Sequence, residues 1–385
     1  MNLKQSRILL LALLMALGMM LAACGSDDDA STDSDSGSDN EDTEETDTDS
    51  GGDSSEDASG GNSDFTVAMV TDVGGVDDKS FNQSAWEGLK QFGEDNNFEE
   101  GKEYTYLQSN EATDYSPNLN RLVQQGYNLV YGIGYKLHDD IENVAKQNPD
   151  THFSIVDDVV EQPNVASITF KEHQGSFLVG VAAAKKTKTD KIGFVGGVDG
   201  FLINKFEAGF VAGAKSVNPD IEVEVQYAGG FDQPAKGKSI ASNMYNSGID
   251  VIYHASGGTG VGVFNQAKDI KQSNPDEDVW VIGVDRDQYE EGQVGDNNVT
   301  FTSMIKRVDI AVADVAKQAM NGEFPGGEQI AYGLSDDAVS VAETNEEAYT
   351  DEIKEAVKEW KDKITSGEVE VPKDRDELET YVNNL

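Results

Sequence analysis

Carboxylates, glycines and aromatic residues follow the apolar runs of this chain, in a pattern that suits the binding of a small molecule. The run Phe65–Val70 leads into Thr71-Asp-Val-Gly-Gly-Val-Asp-Asp-Lys-Ser-Phe-Asn82. A carboxylate such as Asp72 accepts paired hydrogen bonds from a vicinal diol, and an aromatic face such as that of Phe81 stacks on a planar ring. Glycines let the backbone come close to a ligand. These residue types predict a pocket for a neutral ring that carries a sugar.

The same residue types follow several later apolar runs. The segments concerned are Asp157-Asp158, Gly196-Gly-Val-Asp-Gly-Phe201, Gly229-Gly-Phe231-Asp232, His254-Ala-Ser-Gly-Gly-Thr-Gly260 and Asp285-Arg-Asp-Gln288. In an open parallel sheet the ligand lies beyond the carboxyl ends of the strands, so we expect these loops to converge. Their excess of acidic side chains opposes a phosphorylated ligand.

Patterns typical of catalysis are absent from the sequence. There is no Gly-x-Ser-x-Gly motif, and Gly257-Gly-Thr-Gly260 lacks the Gly-Lys-Ser/Thr ending of a P-loop. The aspartates of Asp72–Asp78 leave one enzyme alternative, a metal-dependent nucleoside hydrolase, which release of free base from inosine would reveal. The histidines lack metal-ligand spacing; they are His138, His152, His173 and His254. We therefore expect no catalysis, no cofactor and no bound metal.

Strands and helices are predicted to alternate along most of the chain. Apolar runs indicate strands at Phe65–Val70, Asn128–Ile133, His152–Val156, Val165–Phe170, Lys191–Val195, Ile221–Tyr227, Asp250–His254 and Val279–Val284. Helical spacing begins at Ser80 and recurs at Leu137–Gln147, Gln174–Lys185, Asn204–Ser216, Ala235–Asn246 and Val261–Gln272. Strands this apolar, separated by single helices, indicate parallel sheets that are covered on both faces.

The length and the alternation predict an α/β fold with two doubly wound parallel-sheet lobes joined by hinge crossovers. The first crossing is expected near Thr187–Lys191, where a polar stretch precedes a new strand, and the chain is expected to recross near Thr300–Lys306. The solute-binding domain would cover residues 65–385. Its first lobe would comprise about 65–187 and 306–332, and its second lobe about 191–303 and 333–385.

The N-terminus carries the features of a bacterial lipoprotein signal. A basic start with Lys4 and Arg7 precedes the apolar run Ile8–Ala23, which ends in Leu21-Ala-Ala-Cys24. Sixteen apolar or small residues are fewer than the roughly 20 that a transmembrane anchor needs. We therefore predict a signal peptide over residues 1–23 and lipidation of Cys24, the only cysteine of the chain.

Residues 24–64 are predicted to form an acidic, disordered tether. Gly25–Asp64 contains sixteen acidic residues and no Lys or Arg, so its charges repel and it has little apolar surface to bury. Residues 65–385 add 56 acidic and 27 basic residues. This excess argues against nucleic acid and against an anionic membrane surface as partners. It fits exposure to high salt or to an alkaline medium.

Seven motifs, taken in order, resemble the basic membrane protein family. They are Asp72-Val-Gly-Gly-Val-Asp-Asp-Lys-Ser-Phe-Asn82, Phe177-Leu-Val-Gly180, Phe206-Glu-Ala-Gly-Phe210, Lys236-Gly-Lys238, Gly257-Gly-Thr-Gly260, Gly283-Val-Asp-Arg-Asp-Gln288 and Thr302-Ser-Met-Ile-Lys306. That family consists of substrate-binding lipoproteins of ABC importers, and its best-known members bind purine nucleosides. The resemblance implies a two-lobed fold of the periplasmic-binding-protein type I kind with three crossovers.

The resemblance also implies which residues would hold a base. Asp72 and Asn82 stand where the family contacts the base, and Phe81 stands where a ring stacks on it. A second stacking position falls at Tyr253 or His254, and the resemblance leaves the choice open.

Other positions would complete the site. Asp285 matches the acid that holds ribose hydroxyls, and Gly257 matches the neighbouring backbone contact. Asp157 and Lys306 match charged ligand contacts, and Phe231 matches an aromatic residue that lines the second lobe.

The resulting prediction is a receptor anchored by lipid at Cys24 on the extracytoplasmic face of the cell membrane. It would act as a monomer and deliver a nucleoside, with a purine favoured, to an ABC permease by closure of its lobes. Two alternatives stay open at this point. The ligand could be another ring with a polyol tail, such as a flavin or a sugar, or the chain could be a surface adhesin or sensor.

Overall fold

The computed structural model describes residues 64–385. The predicted signal peptide, the lipidation of Cys24 and all of the predicted tether except Asp64 lie outside the described residues. None of the described helices is long and apolar enough to span a membrane.

Strands and helices alternate along the described chain. The strands are β1 (Val67–Thr71), β2 (Tyr104–Leu107), β3 (Leu129–Ile133), β4 (His152–Val156), β5 (Val165–Phe170), β6 (Lys191–Gly196), β7 (Glu222–Tyr227), β8 (Val251–Ala255), β9 (Trp280–Asp285), β10 (Gln293–Val294), β11 (Asn297–Asn298), β12 (Thr300–Lys306), β13 (Gln329–Tyr332) and β14 (Val339–Val341). The helices are α1 (Phe81–Asp95), α2 (Tyr115–Gln124), α3 (His138–Gln147), α4 (Glu172–Lys186), α5 (Phe201–Val217), α6 (Pro234–Asn246), α7 (Gly260–Ser273), α8 (Val308–Met320), α9 (Asp351–Thr365) and α10 (Arg375–Val382).

The first lobe is built on a sheet with the strand order β13-β5-β4-β3-β1-β2, in which all neighbours are parallel. Every residue of β1 is buried. Met69 belongs to the same core cluster as Leu89 of α1, whereas its neighbour Val70 belongs to the cluster of Leu119 and Ile141 from α2 and α3. Successive side chains of β1 thus belong to two different cores, which explains why its sequence is apolar from Val67 to Val70.

The second lobe is built on a sheet with the strand order β14-β12-β9-β8-β6-β7. Its strands are parallel except for β14, which pairs with β12 in the antiparallel direction. A small hairpin of β10 and β11 stands beside this sheet. The prediction of two doubly wound parallel-sheet lobes is confirmed.

The chain crosses between the sheets three times. It leaves the first sheet after β5, returns after β12 to form β13, and leaves again to form β14. The prediction that the first crossing lies near residues 187–191 was wrong, because α4 packs on the second lobe, against α5, α9, β12 and β14. The crossing lies at Lys171, between β5 and α4.

Glycines bring α4 and α5 unusually close together. A Cβ atom at Gly180 would lie 2.2 Å from the carbonyl oxygen of Phe210, and one at Gly213 would lie 2.0 Å from that of Phe177. Neither position leaves room for a side chain, so these glycines set the distance between the two helices.

β2 and α2 were not predicted from the sequence. β2 is an edge strand of four residues that buries only Tyr104 fully, so it lacks a continuous apolar run. α2 contains Pro117 in its first turn, a position that tolerates proline because the N–H groups there have no helical partner. The prediction for α5 began at Asn204, but the helix begins three residues earlier, at Phe201.

Candidate ligand-binding site

A cleft with an empty volume of about 530 Å³, part of it open to solvent, lies between the two lobes. Its lining comes mainly from the segments that follow the strands, in accordance with the rule for open parallel sheets. Its lining residues are Asp72, Gly74, Asp78, Phe81, Asn82, Gly134, Tyr135, Asp157, Leu202, Ile203, Phe206, Phe231, Ala255, Ser256, Gly257, Val284, Asp285 and Lys306. Eight of the nine predicted site residues are among them, and His254 is the exception.

The loop between β1 and α1 is held by the carboxylate of Asp78. This side chain accepts the backbone N–H groups of Ser80, Asn82 and Gln83 at 2.9–3.1 Å, and thereby caps the first turn of α1. The side-chain amide of Asn82 donates to Asp72 Oδ1 at 2.8 Å and to Asp78 Oδ2 at 3.0 Å. The loop therefore presents Asn82 and Asp72 to the cleft in fixed positions.

Asn82 has one polar side-chain atom without a hydrogen-bond partner. Because its Nδ2 atom faces two carboxylates, the orientation of the amide is determined, and Oδ1 is the remaining acceptor. That atom is buried and has no hydrogen-bond partner. A buried acceptor without a partner is costly, so a donor group on a bound molecule would relieve that cost. Burial also raises the pKa of Asp72, although the N–H groups of Gly74 and Asn82 oppose the shift.

Lys306, the last residue of β12, forms a buried charge cluster at the cleft. Its Nζ atom lies 2.6 Å from Asp157 Oδ2 and 3.4 Å from Glu172 Oε1. Burial disfavours the charge of the ammonium group, but the carboxylates of Asp157, Glu172 and Asp285 outweigh burial and raise the pKa of Lys306. The lysine is therefore a permanent cation, and Asp157 Oδ1 is left buried without a hydrogen-bond partner.

Three aromatic rings surround the same ammonium group. The centroids of Phe81, Phe170 and Phe206 lie 5.1, 5.0 and 5.7 Å from Lys306 Nζ, within the range of cation–π attraction. Phe81 and Phe206 also line the cleft. Lys306 thus fixes the rings as well as the charges of this part of the site.

Asp285 ends β9 in the left-handed region, with a φ of 65°. Its carboxylate accepts a hydrogen bond from the hydroxyl of Ser80, which belongs to the other lobe. Burial raises the pKa of Asp285 to about 7; Asp157 and Asp78 add to the shift, and Lys306 and Ser80 oppose it. An exposed ion pair also joins the lobes, with Arg286 Nη2 at 2.8 Å from Glu87 Oε1.

Aromatic residues add a further contact between the lobes. The ring of Tyr135, in the turn after β3, lies edge to face with Phe201 at 5.5 Å and with Phe231 at 6.5 Å between centroids. Lys136 Nζ lies 4.7 Å from the centroid of Phe231. Together with the polar contacts, this packing shows a closed arrangement of the two lobes.

Comparison with known proteins identifies the family of this chain. Residues 65–375 match the Bmp family, whose description is ABC transporter substrate-binding protein PnrA-like. The chain belongs to this family. It is thus a substrate-binding protein of an ABC transporter, which works outside the cytoplasm, and the resemblance to the basic membrane protein family is confirmed. The prediction of a binding protein rather than an enzyme is confirmed as well.

Individual relatives of this Bmp-family protein cover most of its length. The "CD4+ T-cell-stimulating antigen" of Listeria innocua is 51% identical over 96% of this chain and 99% of its own. The "ABC transporter nucleoside-binding protein BmpA" of Lactococcus lactis subsp. cremoris is 49% identical over 83% of this chain and 93% of its own. The crystal structure of a solute-binding protein from Aeropyrum pernix K1 has a TM-score of 0.73 and 25% identity, and the match covers 83% of this chain and 97% of that one.

His254 does not reach the cleft of this Bmp-family protein, so the prediction that it contacts the ligand was wrong. The side chain is fully buried, and its Nε2 atom lies 3.0 Å from Gln288 Oε1. Burial lowers the pKa of His254 to about 4, against a smaller effect of Gln288. The alternative, Tyr253, is equally buried, with its hydroxyl 3.1 Å from that of Ser176. Both lie within β8, and only its last residue, Ala255, lines the cleft.

Several lining residues were not predicted from the sequence. Tyr135 follows β3 by two residues, so the same rule that selected the other strand ends would have found it. Phe206 lies in a motif that was recognised without a role being assigned to its ring. Leu202 and Ile203 were missed because the start of α5 was placed too late. Among residues 64–385, no group of His, Cys, Asp and Glu side chains is arranged to hold a metal ion.

Proposed function

We propose that this Bmp-family protein binds a nucleoside, with a purine favoured, and hands it to the permease of its transporter. The observation that carries the proposal is the buried acceptor Asn82 Oδ1, which is fixed by two carboxylates at the wall of the cleft. Purine bases carry ring or amino N–H groups that could donate to it. A relative that is 49% identical is named as nucleoside-binding, which supports the same assignment.

The remaining lining suits the other parts of a nucleoside. Phe81 is half-buried at the cleft and offers an aromatic face to a base, beside Phe206 and Phe231. Asp285 and the backbone at Gly257 lie in the same cleft, where a carboxylate could accept the two ribose hydroxyls. Asp157 and Lys306 would complete the polar lining.

The charge of the cleft favours a nucleoside over a nucleotide. Four aspartates line it, and the cation Lys306 is already neutralised by Asp157 and Glu172. A phosphate group would therefore meet carboxylates without a free cation among the described lining residues.

Calorimetry on the purified protein tests the proposal. Inosine, guanosine and adenosine should bind, whereas guanosine monophosphate and ribose should bind much more weakly; riboflavin tests the flavin alternative. Asp285→Ala should weaken nucleoside binding by about 30-fold or more, since charge-assisted hydrogen bonds contribute roughly 2–4 kcal/mol in a desolvated site. Asp287→Ala, two residues away and exposed, is the matched control. Failure of all three nucleosides to bind would refute the assignment.

We also propose that lipid at Cys24 anchors the protein at the outer face of the membrane and that residues 24–64 act as a spacer. The support is the sequence Leu21-Ala-Ala-Cys24 after an apolar run, and the acidic composition that follows it. An anchored receptor stays close to its permease, with which the closed lobes would dock.

A further inference from the structure

Gln288 joins the two lobes without lining the cleft. It follows β9 in the second lobe and is almost fully buried. Its Nε2 atom donates a hydrogen bond of 2.8 Å to the carbonyl oxygen of Lys79, which lies in the first lobe. The ion pair of Arg286 and Glu87 is exposed, whereas this hydrogen bond is part-buried, so water weakens it less.

The orientation of the Gln288 amide is fixed from within the second lobe. Its Oε1 atom accepts the N–H of Val284 at 2.9 Å and lies 3.0 Å from His254 Nε2. Because an amide oxygen is only an acceptor, His254 must carry its proton on Nε2. The backbone N–H of Gln288 is held by Ser303 Oγ at 3.0 Å. The amide NH₂ is thereby directed at the first lobe.

The acceptor of this hydrogen bond belongs to the loop that carries the ligand-facing residues. Lys79 stands between Asp78 and Ser80 and has a φ of 61°, a strained value for a residue with a side chain. Asp78 caps α1, and Ser80 donates to Asp285. The hydrogen bond to the Lys79 carbonyl therefore holds the cleft loop from the second lobe, next to the bond between Ser80 and Asp285.

We propose that Gln288 is a positioning residue for lobe closure: a donor prepared by His254 that secures the first-lobe loop in the closed form and never touches the ligand. The proposal rests on the nucleoside binding proposed above, with the lobes closing around the ligand. The bond exists only when the lobes meet, so its loss should speed the escape of ligand and leave its entry unchanged. This role also explains why a histidine is buried behind the cleft.

The isosteric change Gln288→Glu tests the proposal, because it replaces the donor by a second acceptor opposite the Lys79 carbonyl. The control is Gln293→Glu, which adds the same charge to the same lobe and removes an exposed hydrogen bond to the carbonyl of Gly295. Gln288→Ala removes the donor without adding charge. It replaces Gln288→Glu in the test if that variant does not fold. Stopped-flow displacement of inosine from the full-length protein gives the two rate constants, and circular dichroism verifies the fold.

A second readout does not require a nucleoside. Spin labels at Asp139→Cys and Lys236→Cys, in a Cys24→Ser background, report the distance between the lobes, since both positions are exposed and lie in different lobes. We expect Gln288→Glu to raise the inosine dissociation rate by about tenfold, with an unchanged association rate, and to shift the label distances towards longer values. Gln293→Glu should do neither.

The outcomes separate the two proposals. If inosine, guanosine and adenosine all fail to bind the unmodified protein, the nucleoside assignment fails, and the label distances alone decide the role of Gln288. Unchanged rates and distances in a folded Gln288 variant would overturn the positioning role. The positioning role would also be overturned if Gln293→Glu raised the inosine dissociation rate as much as Gln288→Glu. The same holds if Gln288→Glu lowered the association rate without changing the label distances.

Discussion

Lys306 and Asp157 form a buried ion pair between the two lobes, with 2.6 Å between Nζ and Oδ2. Lys306 ends β12 of the second sheet, where the chain crosses back to the first lobe, and Asp157 follows β4 of the first sheet. Glu172, the first residue of α4 at another crossing, lies 3.4 Å from the same ammonium group. The ion pair therefore connects the hinge to the cleft.

We expect Lys306→Met to destabilise the protein strongly. The change leaves the carboxylates of Asp157, Glu172 and Asp285 without the cation that they share, and breaking a buried ion pair costs about 3–5 kcal/mol. Chemical denaturation measures the free energy of unfolding. Lys358→Met is the control, because Lys358 forms only an exposed pair with Asp362 and should matter by about 0.5 kcal/mol at most. Equal stability of the two variants would contradict the role given to Lys306.

Phe81→Ala should reduce affinity more than stability. Its ring is half-buried at the cleft, and base–aromatic stacking is worth about 1–3 kcal/mol, so nucleoside affinity should fall between about 5-fold and 150-fold. Phe81→Tyr or Phe81→Trp should retain most of the affinity.

The matched control for Phe81 is Phe92→Ala, on the same helix but in the core. That change should cost about 3–5 kcal/mol of stability and leave the affinity of the folded fraction intact. Melting temperature and calorimetry separate the two effects. The stacking role is refuted if Phe81→Ala behaves like Phe92→Ala.

Asp285 should make the folded protein less stable as the pH rises. Burial raises its pKa to about 7 from the ordinary 3.8, so between these values the folded state holds a proton that the unfolded chain has lost. The destabilisation grows through this window to on the order of 4 kcal/mol and is constant above it. Unfolding free energies of the protein and of Asp285→Asn, measured from pH 4.5 to pH 8, give the difference. The raised pKa of Asp285 would be contradicted if the stability of the unmodified protein, relative to that of Asp285→Asn, increased as the pH rises.

Most of the sheet architecture could be predicted because its strands are buried on both faces. Runs such as Val67–Thr71 are buried at every position and apolar as far as Val70, whereas the edge strand β2 is only partly buried and gave no signal. The position of α4 could not be predicted, because its middle, Phe177–Ala184, is apolar or glycine at every position and so shows no preferred face. Only packing shows that it belongs to the second lobe.

The cleft position predicted for His254 failed for a related reason, since the exact end of a strand could not be predicted from the sequence. A strand-end rule assigns the last residues of a strand to the cleft, but it does not say at which residue the strand ends. β8 continues to Ala255, one residue further than expected, so His254 lies within the sheet and faces Gln288. Asn82 and Asp285, which were predicted to contact the ligand, line the cleft. The bond from Ser80 to Asp285 across the lobes was not predicted, because sequence spacing carries no information on contacts 205 residues apart.

The final prediction concerns the anchor, which depends on Leu21–Cys24. Cys24→Ser removes the only thiol of the chain, so the variant should not be acylated and should be found as precursor or in the medium. Metabolic labelling with a palmitate analogue, followed by fractionation of cells, measures both effects. Asp27→Ser, three residues further into the acidic segment, is the control and should be labelled normally, because it keeps the thiol. The folded domain contains none of the changed residues, so its affinity for inosine should be the same in all three proteins. Label on the Cys24→Ser variant at the level of the unmodified protein would refute the lipoprotein assignment and leave the binding function unaffected.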